Sequence, residues 1–241
     1  MAGRGAALGI AAVLFDKDGC LCDFAGTWNL WAAGQIAGFA RGDAGLEQAL
    51  ARSLRYDLAA RAFLPDSPVI AGTNRDTARC IQRVLPELDL DETEARIAQA
   101  AQEVRIAEVI PLAPYLAGLL GHGLRLGVVT NDAEAVARAQ LRACGCDGAF
   151  GVITGADSGH GAKPLPGPLL ASAAALGVAP DRVLMVGDSL HDIHAGRAAG
   201  MRTAGVLTGL ASAEDLAPVA DVVLPDIAHL PGWLGLGQAG A

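Results

Sequence analysis

Along the chain, short continuous runs of apolar residues alternate with longer stretches in which apolar positions recur every three or four residues. The first short run, Ala12-Val13-Leu14-Phe15, ends in two acids one residue apart, Asp16 and Asp18, with Gly19 behind them. A run of that length bounded by a glycine predicts a strand buried on both faces, as in a parallel sheet. From Phe24 to about Ile110 the second pattern takes over. Trp28, Trp31, Ile36 and Phe39 fall near helical spacing, and Leu46, Leu50, Leu54 and Leu58 step by four. Asn74-Arg75-Asp76 opens a helix through Ala78, Ile81 and Val84. Asp91, Glu92 and Glu94 suit the first turn of a long helix from Ala95 to Ile110. No strand is expected in this stretch, and Pro111 closes it.

Beyond Pro111 the short runs return. Leu124 to Val129 ends at Thr130-Asn131-Asp132, and Phe150 to Ile153 leads through a glycine-rich loop, Gly155 to Gly161, to Lys163-Pro164. Val183 to Val186 ends at Gly187-Asp188-Ser189, and Thr203 to Leu207 and Val222 to Leu224 complete the series. Helical periodicity fills the gaps up to Leu141, over 168–176 and over Ile193 to Ala199. Such alternation predicts βαβ units: an α/β fold, a Rossmann-like parallel sheet with helices on both faces. The expected organisation is a core of residues 1–23 and 111–241, interrupted by an all-helical unit at 24–110. From the pattern alone that unit could equally be an independent bundle.

Composition narrows the function classes. With 241 residues, 52% hydrophobic and 18% charged, the chain can bury a substantial core, but at 4% aromatic the packing falls to Ala, Leu, Val and Gly. A formal net charge of -8 gives no general attraction to nucleic acid or to an anionic membrane, so neither is an expected partner. An anionic substrate would need a metal or a local cation. The five cysteines are odd in number and include no C-x-x-C, so the expectation is free thiols in a reducing cytoplasm. No apolar run approaches the roughly 20 residues of a membrane span. The apolar stretch 6–15 after Arg4 runs straight into DKDG without a small-residue cleavage site, and reads as a core strand.

The chemistry sits at the strand ends. Ligands of open α/β sheets bind outside the carboxyl ends of the strands, which is where Asp16 falls. Asp16 and Asp18, two apart in an extended segment, can face one site. Two carboxylates that close repel unless a cation or a shared proton intervenes, and Mg2+ suits them. Lys17 is expected on the opposite side, touching neither acid. Thr130, before a helix start, offers a hydroxyl and nearby N–H groups to an anion. Asp188 and Asp192 stand about one helical turn apart, and His191 and His194 are expected on an exposed helix face. No G-x-x-x-x-G-K-[ST] occurs, which excludes a P-loop enzyme.

Taken in order, DKDG, Thr130 after LGVV, Lys163 in GAKPLPGPLL, and Asp188 with Asp192 in VGDSLHD resemble the four motifs of the haloacid dehalogenase-like superfamily of phosphatases. The helical block after the first motif resembles that family's helical cap, and with the GAKPLP loop it looks most like the phosphoglycolate phosphatase-like branch. In two places the chain departs from the pattern. Ala162 stands between Gly161 and Lys163, and Cys20 occupies a position where Thr or Val is usual. The resemblance implies that Asp16 is the nucleophile and Asp18 the general acid/base, with Thr130, Asn131 and Lys163 holding the phosphoryl oxygens. It implies Mg2+ on Asp16, Asp188 and the Asp18 carbonyl, with Asp192 either outer-sphere or holding Lys163. The function implied is Mg2+-dependent hydrolysis of a small phosphorylated metabolite, a phosphoglycolate-like acid or a sugar phosphate, through an aspartyl-phosphate.

A phosphomutase uses the same acid pair and stays open, as does a non-catalytic binding module on the same fold. Asp18 argues against the dehalogenase branch. The absence of any lysine from Phe24 to Ile110 argues against phosphonatase chemistry. Arg75 could pair with a substrate carboxylate or simply sit exposed at a helix start. Cys20 and Cys22, beside the site, would make activity sensitive to oxidation if they reacted. The tail after Leu230, with Trp233, would pack on the core or on a neighbour.

Overall fold

The computed structural model describes residues 9–236. Strand β1 (Ala12–Phe15) is followed by the two-residue strand β2 (Cys22–Asp23) and then by helices α1 (Phe24–Ala40) and α2 (Ala44–Leu54). The pair β3 (Tyr56–Asp57) and β4 (Ala62–Phe63) comes next, then α3 (Asn74–Gln82), α4 (Leu90–Gln102) and the short β5 (Ala107–Glu108). Side-chain oxygens of Asp23, Asp43, Thr73 and Asp89 cap these four helices, satisfying N–H groups that a first turn leaves without partners. The α/β part resumes with α5 (Leu112–Gly121), β6 (Arg125–Val129), α6 (Glu134–Ala143), β7 (Val152–Thr154) and α7 (Gly167–Leu176). It ends with β8 (Val183–Gly187), α8 (Leu190–Ala198), β9 (Arg202–Val206), α9 (Ala213–Leu216), β10 (Val222–Leu224) and α10 (Leu230–Leu234).

Six strands form one parallel sheet in the order β10-β9-β8-β1-β6-β7. Period-two alternation divides β1 between two cores. Val13 and Phe15 join Leu126, Val128, Leu184 and Val186 against α5 and α6. Ala12 and Leu14 join Val129, Val183 and Met185 against α7 and α8. Helices therefore cover both faces, as the near-continuous apolar strands require. The chain builds β6 and β7 on one side of β1, then crosses back to build β8, β9 and β10 on the other. That reversal makes the carboxyl end of β1 the switch point, where open α/β sheets bind their ligands.

Residues 24–102 pack round a core of their own, in which Ile36, Phe39, Leu50, Leu54, Ile81 and Ile97 are buried against one another. The chain enters and leaves this block through the antiparallel pair β2–β5, with Cys22 opposite Glu108 and Asp23 opposite Ala107. Three expectations are corrected here. The stretch is not wholly helical, since β3 and β4 interrupt it. The leucine series stops at Leu54, where Arg55 turns left-handed (φ 55°) and ends α2. And α4 ends at Gln102, leaving an irregular segment before β5 rather than a helix to Ile110. Helix α5 was not expected at all: LAPYLAGLLG is nearly uniform in polarity, so no apolar stripe stands out. The region Ile10 to Phe15 does lead into the core strand, whereas residues 1–8 lie outside the described residues. Trp233 packs on the sheet core, in the cluster with Leu230 and Leu234. Among the described residues no helix is long and apolar enough to cross a membrane.

Candidate active site

The sheet register fixes which residues meet. Phe15 pairs with Val128 on one side and Val186 on the other, so Asp16, Thr130 and Asp188 emerge together just past three neighbouring strand ends. The Asp16 N–H donates to Val186 O at 2.8 Å, carrying the ladder one residue beyond β1. Asp16 Oδ1 lies 2.6 Å from Lys163 Nζ, which also reaches Asp192 Oδ1 at 2.7 Å. Asp192 Oδ2 in turn accepts from the Ser189 N–H at 3.1 Å and its hydroxyl at 2.6 Å. Asp192 thus holds Lys163 and closes the first turn of α8.

Asp16, Asp188 and Asp192 present oxygens that all lie within 4.8 Å of one another, and all three residues are buried. One ammonium pairs with two of these carboxylates, Asp16 and Asp192. Burial raises Asp16 to about 7, with Lys163 opposing and Asp192 adding to the rise. Burial likewise pushes Asp188 well above the carboxylate range, helped by Asp16 and Asp192. For Lys163, burial works against the charge, but Asp16 and Asp192 more than restore it and hold the ammonium above the usual lysine value. A pocket of buried oxygen ligands with surplus negative charge is the donor set a hard divalent cation prefers. Its shape agrees: a Cβ at Gly209 would lie 1.7 Å from Asp188 Oδ2, and one at Gly19 (φ +80°) 2.5 Å from the same carboxylate. The two glycines let backbone press against Asp188 on both sides. Thr208 Oγ1, donating to Gly19 O at 2.6 Å, ties the two loops together.

The second acid stands in different company. Asp18 Oδ1 accepts from Trp28 Nε1 of α1 at 2.6 Å, while Asp18 Oδ2 lies 2.8 Å from Lys17 Nζ. Lys17 is fully buried, donates to Gln140 Oε1 at 2.6 Å, and lies 3.2 Å from Asp132 Oδ2. The expectation that Lys17 contacts neither acid is therefore corrected. Strand alternation stops at Asp16, and the turn at Gly19 swings the Asp18 carboxylate round to meet the lysine. Burial lowers the Lys17 pKa, yet Asp18 and Asp132 outweigh it and leave the charge secure.

Thr130 is buried in the cleft wall, its Oγ1 accepting from the Asp132 N–H at 3.1 Å. The Asn131 side chain is already committed. Its Nδ2 donates to Ala71 O at 2.8 Å and Lys163 O at 2.9 Å, and its Oδ1 accepts from the Lys163 N–H at 2.9 Å. Asn131 thus ties the Lys163 loop to the helical block, and its side chain is not left free to hold a phosphoryl oxygen as expected. His191 is half-buried, lines the cleft and donates Nδ1–H to Ala71 O at 3.2 Å, against the expectation of an exposed face, while His194 is exposed. Arg75 sits outside the cleft, paired with Asp91 at 2.8 Å and Glu94 at 2.7 Å. Cys20 and Cys22 are fully buried, and burial raises both thiols well above their usual range, which leaves them poor nucleophiles.

Sequence reasoning missed Lys17, Trp28, Asp132, Ser189, Thr208 and Gly209. One signal was present for the first: Lys17 and Lys163 are the chain's only lysines.

A family model described as haloacid dehalogenase-like hydrolase matches residues 10–200. The chain belongs to this family. This hydrolase is 38% identical over 161 residues to the phosphoglycolate phosphatase of Rhodospirillum rubrum, a match covering 64% of this chain and 66% of that one. It is 34% identical over 209 residues to the phosphoglycolate phosphatase of Xylella fastidiosa strain Temecula1, covering 84% and 82%. In fold, the hydrolase superposes on a HAD phosphatase from Thermococcus onnurineus with a TM-score of 0.66 at 23% identity, over 95% of this chain and 100% of the other. Its place is thus on the phosphatase side of the family.

Proposed function

We propose that this hydrolase cleaves small phosphate monoesters in two steps through an aspartyl-phosphate, with a divalent cation, Mg2+, in its acidic pocket. The observation that carries the reading is the meeting of Asp16, Asp188, Asp192 and Lys163 at the switch point, with Asp18 beside them. Asp16, Asp188 and the Asp18 carbonyl would hold the cation, whose contribution when bound is to neutralise negative charge on the phosphoryl oxygens. Asp16 attacks phosphorus, forming an O–P bond as the bond to the ester oxygen breaks. Asp18, as the acid, gives its proton to that leaving oxygen. Water then attacks the phosphorus, Asp18 takes its proton, and the Asp16–P bond breaks to release phosphate. Lys163 and the Thr130 hydroxyl stabilise the oxygens on which charge builds. Residues 24–110 would act as a cap over this chemistry, and the free thiols suit a reducing cytoplasm.

The relatives' name makes phosphoglycolate the reference ester. The test is phosphate release from phosphoglycolate, p-nitrophenyl phosphate and a set of sugar phosphates, with Mg2+ and with EDTA, beside Asp16→Asn. Turnover should require the metal and vanish in the variant. Full turnover by Asp16→Asn sinks the nucleophile assignment, and an isomeric ester appearing instead of free phosphate would reveal a mutase.

A further inference from the structure

The phosphoryl end of the cleft accounts for its acids and its one cation; the opposite wall is different in kind. Phe24, Trp28, Trp31, Phe63, Val69 and Ile70, all from the helical block or the loop within it, line the cleft, and Trp28 reaches Asp18 through its indole N–H. Their rings are packed in tilted and edge arrangements: Trp28 and Trp31 at 5.1 Å and 75°, Phe24 and Phe63 at 5.8 Å and 58°. Aromatic groups held that way form a preset apolar surface.

Charge points the same way. Among the described residues lining the cleft, the lysine or arginine cations reduce to Lys163, and Asp16 and Asp192 hold it at the phosphoryl end. Three of the block's arginines turn elsewhere, Arg75 to Asp91 and Glu94, Arg55 to Asp66, Arg96 over the Phe39 ring, while Arg79, paired with Asp76, and Arg83 line a neighbouring pocket that shares Ala71, Gly72 and His191 with the cleft. Asp18, Asp132 and Asp188 also line the cleft. A carboxylate on the leaving group would lose its water against aromatic rings and meet those acids, while the second ammonium nearby, Lys17 Nζ at 4.9 Å from the Trp28 ring centroid, is fully buried and already paired with Asp18 and Asp132. An uncharged apolar group would cover the rings and leave no charge unpaired.

We infer that this hydrolase prefers phosphate esters of uncharged alcohols with an aromatic or branched apolar body over esters of hydroxy acids such as phosphoglycolate. The inference rests on the phosphatase reading and adds the leaving-group class to it. Asn74 of the block and His191 of α8 also line the cleft, as polar partners for a hydroxyl or carbonyl on such an alcohol.

The experiment compares kcat/KM for benzyl phosphate and phosphoglycolate, with Mg2+, for the unaltered protein and for Trp31→Ala and Ile70→Arg. A ratio of two substrates on one preparation does not depend on the fraction correctly folded, so a poorly folding variant cannot imitate the result. The unaltered ratio should favour benzyl phosphate about tenfold or more. Trp31→Ala should lower it, and Ile70→Arg, which brings a guanidinium to the wall, should move it about tenfold toward phosphoglycolate. Benzyl phosphate turned over no better than phosphoglycolate overturns the inference and leaves the phosphatase reading standing. No phosphate from these two esters or from p-nitrophenyl phosphate overturns both.

Discussion

Asp16 illustrates how one side chain couples stability to acidity. Its carboxyl is raised from 3.8 to about 7 by burial, with the neighbouring Asp192 assisting and Lys163 resisting. Between those two values the folded chain binds a proton that the unfolded chain has released, so stability is present below the lower value and lost as pH rises through the upper. Asp188 shifts in the same direction and adds to the slope. In EDTA the melting temperature should fall by roughly 4 °C or more between pH 5.5 and pH 8. Saturating Mg2+ should flatten that fall, because a cation replaces the protons. A metal-free protein that melts higher at pH 8 would contradict the pocket's electrostatics. Gly209 tests the same pocket sterically. A Cβ there would sit 1.7 Å from Asp188 Oδ2, so Gly209→Ala should shift that carboxylate and cost about 10²-fold in kcat/KM. The circular dichroism spectrum should stay unchanged, since Gly209 lies in a loop outside every strand and helix.

What was legible in the sequence divides at the level of elements. Strand ends were readable because an apolar run stopping at a polar residue marks both a buried strand and its exit, and Asp16, Thr130 and Asp188 were placed that way. Asp192 and Lys163 followed from the order of the motifs. Partners supplied by a distant element were not readable. Trp28 looked like one more apolar position of α1, yet its indole N–H is what holds Asp18, and Gln140 of α6, fully buried on Lys17, carried no signal in the pattern. Spacing reports which face a residue takes, not which polar atom it meets there. Trp28→Phe keeps an aromatic ring but loses part of the indole's volume together with the hydrogen bond, which to a charged acceptor is worth roughly 1.5–3 kcal/mol. The kcat should drop about tenfold with KM little changed, and an unchanged kcat would mean that α1 packs over the acid without positioning it.

At the scale of the molecule, the helical block and the sheet each have a main apolar core, joined at a seam by a small apolar cluster, Phe24, Trp28 and Ala101 against Val136, and by hydrogen bonds. Asn131 and His191 both donate to Ala71 O, Asn74 donates to Asp132 Oδ1, and Trp28 donates to Asp18. Such a division predicts uneven stability. Ile36→Ala should cost about 2–5 kcal/mol within the block. In hydrogen exchange the loss of protection should fall on residues 24–102, with β1, β6 and β8 exchanging as before. Equal loss in β1 would show that the two cores open as one unit.

The two lysines have a last consequence. Both are buried, Lys17 at 0% and Lys163 at 5% exposure, and there are no others in the chain. The outer surface therefore displays positive charge only as guanidinium, imidazole and whatever the chain terminus adds. Acylating reagents, amine crosslinkers and enzymes that tag lysine find no side-chain target on the closed molecule. Lys17 comes within reach only when its contacts with Asp18, Asp132 and Gln140 break, so the rate of its labelling, read apart from the terminal amine and from Lys163 in the cleft, reports how often that part of the site opens.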